Sequence, residues 1–426
     1  MGAATRFVRM ALSALLLLLF VAAAPLPAAG VTPAGAWSAQ GSGTLQSLYG
    51  LAFPDASTGW AVGGAGVILH TANGGATWSP QASGTDTILA AVAFPDATHG
   101  WVVGDYGAIL GTTNGGATWT AQDSGAPYAL IAAASTDATH AWAVGYSGTI
   151  VSTSGGTTWT VQDSGTSDQL ISVAFTDANT GWVVGQDGTI LNTVDGGGTW
   201  GSQGSGTHED LYAVAFTDAN TGWVVGTGGT VLHTSNGGAS WVPQSSGTGE
   251  DLEGVAFTDA NTGWAVGTNG VVRHTTDGGT TWTSQNSGTQ DSLFGIAFAD
   301  ATHGWAVGAG GTIRAYAPST TVSTSITIKT NTTTTYIGKT PVLSGAVNPT
   351  GMIGRIIVVY VMKPGSSRWT YSSNRQVYAL NGGAAWQYKY YFKPGMAKGY
   401  YKFKAVVPPS TGFLTSTSQQ ITLRLK

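Results

Sequence analysis

The sequence predicts an all-β protein, a seven-bladed β-propeller followed by an immunoglobulin-like β-sandwich, on three observations. Tryptophan recurs in two interleaved series, each period reads as four short strands, and the charges divide the chain into an acidic body and a basic one.

The first series sits in strand-like GWxVG or AWxVG runs at Trp60, Trp101, Trp142, Trp182, Trp223, Trp264 and Trp305. The second ends a turn-like run at Trp37, Trp78, Trp119, Trp159, Trp200, Trp241 and Trp282. Each member of the second series precedes its partner by 23 residues, and the return step is 18 residues, except 17 from Trp142 to Trp159. A period of about 41 residues suits a propeller blade. In the fifth repeat the strand signals are Leu211–Phe216, Gly222–Val225, Thr230–Thr234 and Ser240–Gln244, rich in β-branched and aromatic residues and punctuated by Gly, Asn and Asp. Four strands repeated seven times make a propeller. The first strand keeps one small residue throughout, at Gly50, Ala91, Ala132, Ser172, Ala213, Gly254 and Gly295, as crowding near a central axis requires. The last repeat stops after its third strand, near Thr312–Tyr316, while an orphan strand, Ala36–Gln40, stands at the start. The orphan is therefore expected to close the ring.

Ahead of the repeats, Arg6 and Arg9 precede an apolar run from Ala11 to Ala24, and Ala28, Ala29 and Gly30 offer a cleavage site after Gly30. This is the pattern of an export signal over residues 1–30. An uncleaved anchor is the alternative, although Pro25 and Pro27 interrupt the run and no basic stop-transfer cluster follows. The chain has no Cys, which excludes disulfides, thiolate metal sites and a cysteine nucleophile. High Gly, at 64 residues, together with 16 Trp argues for tight turns and packed cores rather than disorder.

The turn before each second-series Trp is fullest at Thr275–Trp282, matched by Thr193–Trp200, with the pattern S/T-x-D-x-G-x-T-W. A carboxylate there accepts turn N–H groups and Gly supplies a positive φ. Asp195 and Asp277 carry that role, Asn73, Asn114 and Asn236 do it neutrally, and Ser154 more weakly, so all six read as structural. With GWxVGxxGxILxTxDGGxTW as the full blade motif, residues 36–316 resemble the photosystem II stability and assembly-factor family of Asp-box (BNR-type) propellers. Asp boxes also occur, more loosely, in sialidases and related glycosidases. The resemblance implies a seven-bladed ring and, in photosynthetic members, a non-enzymatic assembly chaperone that uses basic surface residues. This propeller departs from that, with Arg273 and Arg314 its only basic residues apart from histidine.

Two arginines also exclude the arginine cluster of a sialidase. A glycoside hydrolase needs only two facing carboxyls. The loops before the inner strands supply Asp86, Asp168, Glu209, Asp210, Glu250, Asp251 and Asp291, expected to share a rim with the GxxG turns carrying Asp105, Tyr106, Tyr146 and Asp187. This rim is the candidate binding surface, and a solvated acidic edge is its plainest reading. Asp55, Asp96, Asp137, Asp177, Asp218, Asp259 and Asp300 recur in every blade, which marks a turn role. His99, His140 and His303 are turn variants, whereas His70, His233 and His274 hold one repeated outer position that does not converge on a metal. No cofactor motif is present, and no catalytic residue, cofactor or metal is assigned.

All 21 acids lie between residues 31 and 318 with two Arg, a net of −19, whereas residues 319–426 hold 13 Lys and Arg and no acid. Opposed fields of this kind steer association. The expected domains are a propeller over 31–317, a Ser/Thr-rich linker over 318–325 and the β-sandwich over 326–426. In the last, strands are expected at Ser325–Lys329, Pro341–Val347, Ile356–Met362, Ala385–Phe392, Tyr400–Val406 and Gln420–Leu425. Lys389, Lys393, Lys398, Lys402 and Lys404, interleaved with Tyr388, Tyr390, Tyr391, Tyr400 and Tyr401, suit an anionic polymer, or else mark strands with aromatics inward and lysines solvated. The leading expectation is an exported, non-catalytic scaffold, with a protein or glycan ligand on the propeller and an anionic wall or surface polymer on the basic domain. A polysaccharide hydrolase and an assembly factor for a membrane complex are the alternatives, and no nucleic acid is expected.

Overall fold

The computed structural model describes residues 36–317 and, beyond them, 325–326, 329–330, 334–335, 342–348, 356–364, 366, 368, 370–376, 378–380, 383–389, 396–407, 416–417 and 421–426. The export signal over 1–30, linker residues 318–324, Lys393, Tyr390 and Tyr391 lie outside the described residues.

Seven four-stranded antiparallel sheets form the propeller. Blade 1 runs Leu48–Ala52, Gly59–Gly63, Ile68–Thr71, Ser79–Gln81, and blades 2 to 6 repeat it. Blade 7 takes its first three strands from Leu293–Asp300, His303–Gly308 and Ile313–Ala317, and its fourth from Ala36–Gln40 at the other end of the chain. Trp37 pairs with Tyr316 in that closure. In blade 5 the third and fourth strands are shorter than expected, Val231–Thr234 and Val242–Pro243. The outermost strand has a free edge, where Pro243 leaves no ladder bond unmade.

Every inner strand opens on a fully buried leucine, Leu48 through Leu293, and is then bulged by one residue before the small position. The small residue faces the next blade rather than open channel. A Cβ on Gly50 would sit 2.8 Å from Ala91 Cα, and the Ser172 hydroxyl accepts the Val214 N–H at 3.3 Å. Adjacent inner strands thus approach too closely for a larger side chain.

Aromatic rings fill the junctions between blades. The Phe near the end of an inner strand stacks on the preceding blade's buried Trp, with centroids 3.5–3.9 Å apart from Phe94 on Trp60 to Phe298 on Trp264. Its edge meets the second-series Trp of its own blade, as Phe53 meets Trp78 at 5.8 Å. The ring also fills the space beside the Gly of GW, where a Cβ would run into it. Blade 3 is the exception, with Ser135 in place of Phe and Ala141 in place of Gly.

The described part of residues 325–426 forms two sheets. One contains Val342–Asn348 and Gly383–Lys389; the other contains Ile356–Met362, Thr370–Gln376, Gly399–Val407 and Ile421–Leu425. Immunoglobulin-like connectivity is an expectation of the sequence; two sheets are what the structure shows. Thr370–Gln376 was not expected as a strand because it lacks an apolar alternation; it lies at a sheet edge, paired with Ile356–Met362. Tyr401 and Phe403 are buried while Tyr400 and Lys402 are exposed, the alternation of a strand with one face covered.

Candidate binding face

The loops before the inner strands and the GxxG turns do share one face. Five of the loop carboxylates are tied to GxxG turns, Asp210 and Asp251 to the turn of the preceding blade and Asp168, Glu250 and Asp291 to that of their own blade. Asp210 accepts the Asp187 N–H at 3.1 Å, and Asp251 accepts the Gly228 N–H at 2.8 Å. Glu250 accepts from the Thr268 hydroxyl and Asn269 Nδ2 at 3.0 and 2.8 Å. Asp168 accepts from Thr189 Oγ1 at 2.9 Å, and Asp291 from Thr312 Oγ1 at 2.7 Å. Asp187 also meets His208 Nδ1 at 2.9 Å. Glu209 is exposed, and Asp86 lines an open cleft with Ala65 and Trp78. These acids are distributed around the ring, one turn at a time, which suits turn stabilisation better than a single acid–base pair.

Each GxxG turn places its second x residue in the left-handed region, Ala65, Tyr106, Ser147, Asp187, Gly228, Asn269 and Gly310 in blade order, followed by a glycine also at positive φ. Tyr106 is the outlier, a bulky residue at φ 59° and 87% exposed. Beside it Asp105 is partly buried and its carboxyl is pushed up by that burial. Tyr146 is raised by burial and then by the Asp105 charge. Sequence reasoning missed two other exposed apolar residues in the inter-blade loops of this face, Leu45 and Tyr128.

It also missed Glu253. The second residue of the inner strand is Tyr49, Ala90, Ile131, Ile171, Tyr212, Glu253 and Phe294 in blade order, so an acid stands where the other repeats place aromatic or aliphatic residues. Glu253 Oε1 is buried with no hydrogen-bond partner. Burial, with Asp251's charge adding to it, pushes its carboxyl up to about 7. The signal was available in that seven-way comparison.

The Asp boxes lie away from this face and clasp neighbouring blades. Thr281 donates N–H and hydroxyl to Asp277 at 2.8 and 2.7 Å, and Thr275 Oγ1 takes the Gly279 N–H at 2.8 Å. Asp195 repeats this with Thr199; Asn73, Asn114 and Asn236 accept the equivalent N–H at 2.9–3.0 Å. In the shorter blade 3 turn no hydrogen bond of the Ser154 side chain is found among the described residues, and Gly155 N–H reaches Thr153 Oγ1 at 3.3 Å. The box glycine's carbonyl then receives two donors from the preceding blade: Gly115 O accepts Trp60 Nε1 at 3.2 Å and Gln81 Nε2 at 2.9 Å. Blade 7 has no box, with Tyr316 where the other blades have its opening Thr. The Trp264 indole N–H is consequently buried without a partner.

The recurrent Asp of each blade holds its turn, as Asp55 does by accepting from Ser57 and Thr58, which lowers its carboxyl to about 2. His99, His140 and His303 pair with that Asp, and His70, His233 and His274 lie against the Trp of their own blade. Of the lysines, Lys398 and Lys402 are exposed and Lys404 is half-buried. Lys402 and Lys404 share one strand, Gly399–Val407, while Lys389 ends a strand of the other sheet.

A family model described as photosynthesis system II assembly factor YCF48 matches four overlapping stretches, residues 81–163, 123–202, 157–245 and 201–286. No functionally curated protein matches the chain in sequence. Among solved structures, YCF48 from Cyanidioschyzon merolae is 24% identical at a TM-score of 0.57, covering 66% of this chain and 99% of that one. A YCF48 bound to D1 peptide is 22% identical at 0.59, covering 70% and 99%. A GH74 enzyme from Niastella koreensis is 14% identical at 0.55, covering 89% and 73%. The structural likenesses carry the seven-bladed fold alone; the matched blade motif, repeated around a closed ring, carries the kinship. The propeller of this chain belongs to the YCF48-like, BNR-type family of photosystem II assembly-factor propellers.

Proposed function

We propose that this chain is an exported, non-catalytic binding protein whose rim face captures a protein partner while its basic C-terminal region holds it to an anionic surface polymer. Tyr106 carries the reading. Blades 5 and 7 place Gly at its position, so the fold has no need of a tyrosine there, and a bulky left-handed residue held in solvent is strain retained at a functional surface. Asp105 beneath it and Leu45 and Tyr128 in the face's loops give the mixed apolar and acidic surface a basic, amphipathic segment fits. The family's description as assembly factors, and the peptide held by one similar YCF48, favour a protein over a glycan. With so few basic residues in this propeller, the partner's charge is expected to be opposite to that of a ligand read by arginines. The tether rests on the 13 basic residues and no acids of residues 319–426.

The test is cross-linking of the full chain to envelope proteins, comparing wild type with Tyr106→Ser, which installs the residue that blade 3 carries at Ser147. Loss of one defined cross-linked partner at unchanged stability supports capture at the rim; an identical pattern removes it. In parallel, retention on teichoic acid should fall as salt rises, because exposed charges are screened over ~8 Å at physiological ionic strength, and should weaken in Lys398→Gln/Lys402→Gln. Salt-insensitive retention removes the tether.

Glu253 favours a second reading. A carboxyl poised near neutrality is the form a glycosidase acid takes, provided a second carboxylate faces it. Release of reducing ends from xyloglucan, cellulose or chitin, abolished by Glu253→Gln, would establish it.

A further inference from the structure

The second residue of each inner strand forms a ring at one end of the central channel. Tyr49 and Phe294, on blades 1 and 7, have ring centroids 5.6 Å apart, so these side chains meet across a blade junction. Tyr212 accepts a hydrogen bond from the Thr227 hydroxyl at 3.0 Å, which fixes the ring beside the GxxG turns of the rim face. Its composition is uneven. Blades 5, 6, 7 and 1, whose inner strands are successive neighbours, contribute Tyr212, Glu253, Phe294 and Tyr49. The opposite arc is Ala90, Ile131 and Ile171.

We propose that this mouth is a receptor for a single organic ammonium group, the ε-ammonium of a lysine, held by the Glu253 carboxylate with Tyr212, Phe294 and Tyr49 around it. Glu253 Oε1 is buried and has no hydrogen-bond partner, a state that disfavours the free protein and that a desolvated cation relieves. Aromatic rings supply the rest of what an ammonium needs: faces that attract the charge and walls for its methylene stem. The propeller has no cation to offer. It contains no lysine, and Arg273 and Arg314 are engaged on the Gly247 and Gly288 carbonyls at 2.6 and 2.8 Å. The titratable groups facing Glu253 are Asp251 on its own segment and Tyr212 on blade 5, which in turn faces Asp210, whereas blade 7 presents the neutral Phe294. All of them add negative potential when ionised. The inference deepens the protein-binding reading by naming the side chain that enters the mouth.

Glu209, Glu250 and Glu253 are the only glutamates of the chain, so selective 13C labelling of glutamate carboxyls yields three signals. The full chain is titrated with Nα-acetyl-lysine methylamide and, separately, with its norleucine analogue, which lacks the ammonium. The lysine probe is expected to move the Glu253 signal alone and to lower its titration midpoint by about one pH unit, while the norleucine probe does neither. Glu253→Gln and Phe294→Leu should each weaken the lysine probe by about tenfold or more. A second arm identifies the source of the lysine. Self-association of the chain at low salt, reversed by the probe and absent in Glu253→Gln, assigns it to another copy's basic region. A monomer that binds the probe assigns it to a different protein. The proposal fails if no glutamate signal moves, if norleucine binds equally, or if Glu253→Gln binds as wild type does. A partner lost in Tyr106→Ser yet retained in Glu253→Gln would leave the rim reading standing and remove this one.

Discussion

Ser135 and Ala141 face each other across the first two strands of blade 3, at the positions where the other blades bring together a phenylalanine and a glycine. The two departures belong together. The Phe ring occupies the space of the glycine's absent Cβ, so a Cβ is admitted only where the ring is missing. The cost falls on Trp101, the one first-series Trp with no Phe stacked on it.

A double-mutant cycle at this pair checks the coupling. Ser135→Phe alone should destabilise by about 1–3 kcal/mol through overpacking, and Ala141→Gly alone by about 0.5–1 kcal/mol. Together they should exceed wild type, since the Trp101 stack adds about 0.5–1.5 kcal/mol beyond burial. Denaturant melts read all three, and additivity of the two losses would break the argument.

Ring closure is testable at Trp37, whose indole donates to Gln285 Oε1 at 2.9 Å. Trp37→Ala should cost about 3–5 kcal/mol. A chain beginning at residue 45 exposes the Ile313–Ala317 edge and should elute as oligomers in size-exclusion chromatography. A stable monomer would mean that closure by this strand is dispensable.

Replacing Asp277 by Ala removes the acceptor for the Thr281 N–H and should cost about 1–2 kcal/mol. Partner binding should not change, because the box lies off the rim face. Denaturation and cross-linking together distinguish a clasp from a recognition element.

The pH dependence of stability isolates Glu253. Burial raises its folded carboxyl from the ordinary 4.5 to about 7, so the folded chain keeps a proton that the unfolded chain releases in between. That contribution is fully present below pH 4.5 and is lost as pH rises through 7. Glu253→Gln escapes the loss and should gain on wild type from pH 4 to pH 8, by on the order of 3 kcal/mol. His70, His233 and His274, lowered by burial, produce the opposite trend below about pH 6.5, but equally in both proteins. Parallel melting curves across the range would show that Glu253 is hydrated.

Blade number, ring closure and the shared rim were legible because each follows from spacing: Trp37 and Tyr316 stand at the two ends of one interrupted repeat. The double use of Gly115 O was not legible, since its donors Trp60 and Gln81 belong to the preceding blade and only the ring's curvature brings them there. Glu253 escaped for a related reason. The bulge between Leu252 and Gly254 breaks the two-residue alternation, so reading along the strand does not say which way Glu253 turns. Comparing repeats rather than neighbours would have exposed it, as it would have exposed the Ser135–Ala141 compensation.

The strand Ala36–Gln40 finds its partner only at Ile313–Ala317, so it is the first part of the ring to be synthesised and the last to be seated. Blades 1 to 6 are each complete within about 40 residues and are free to form one after another as the chain emerges from N- to C-terminus. The seventh cannot form until residue 317 has appeared. Throughout that interval Trp37 waits without its bond to Gln285, and blade 7 has no box to hold Trp264 in the meantime. Arrival of a single late strand therefore sets the moment at which the ring commits, and a chain interrupted before it remains an open arc of otherwise finished blades.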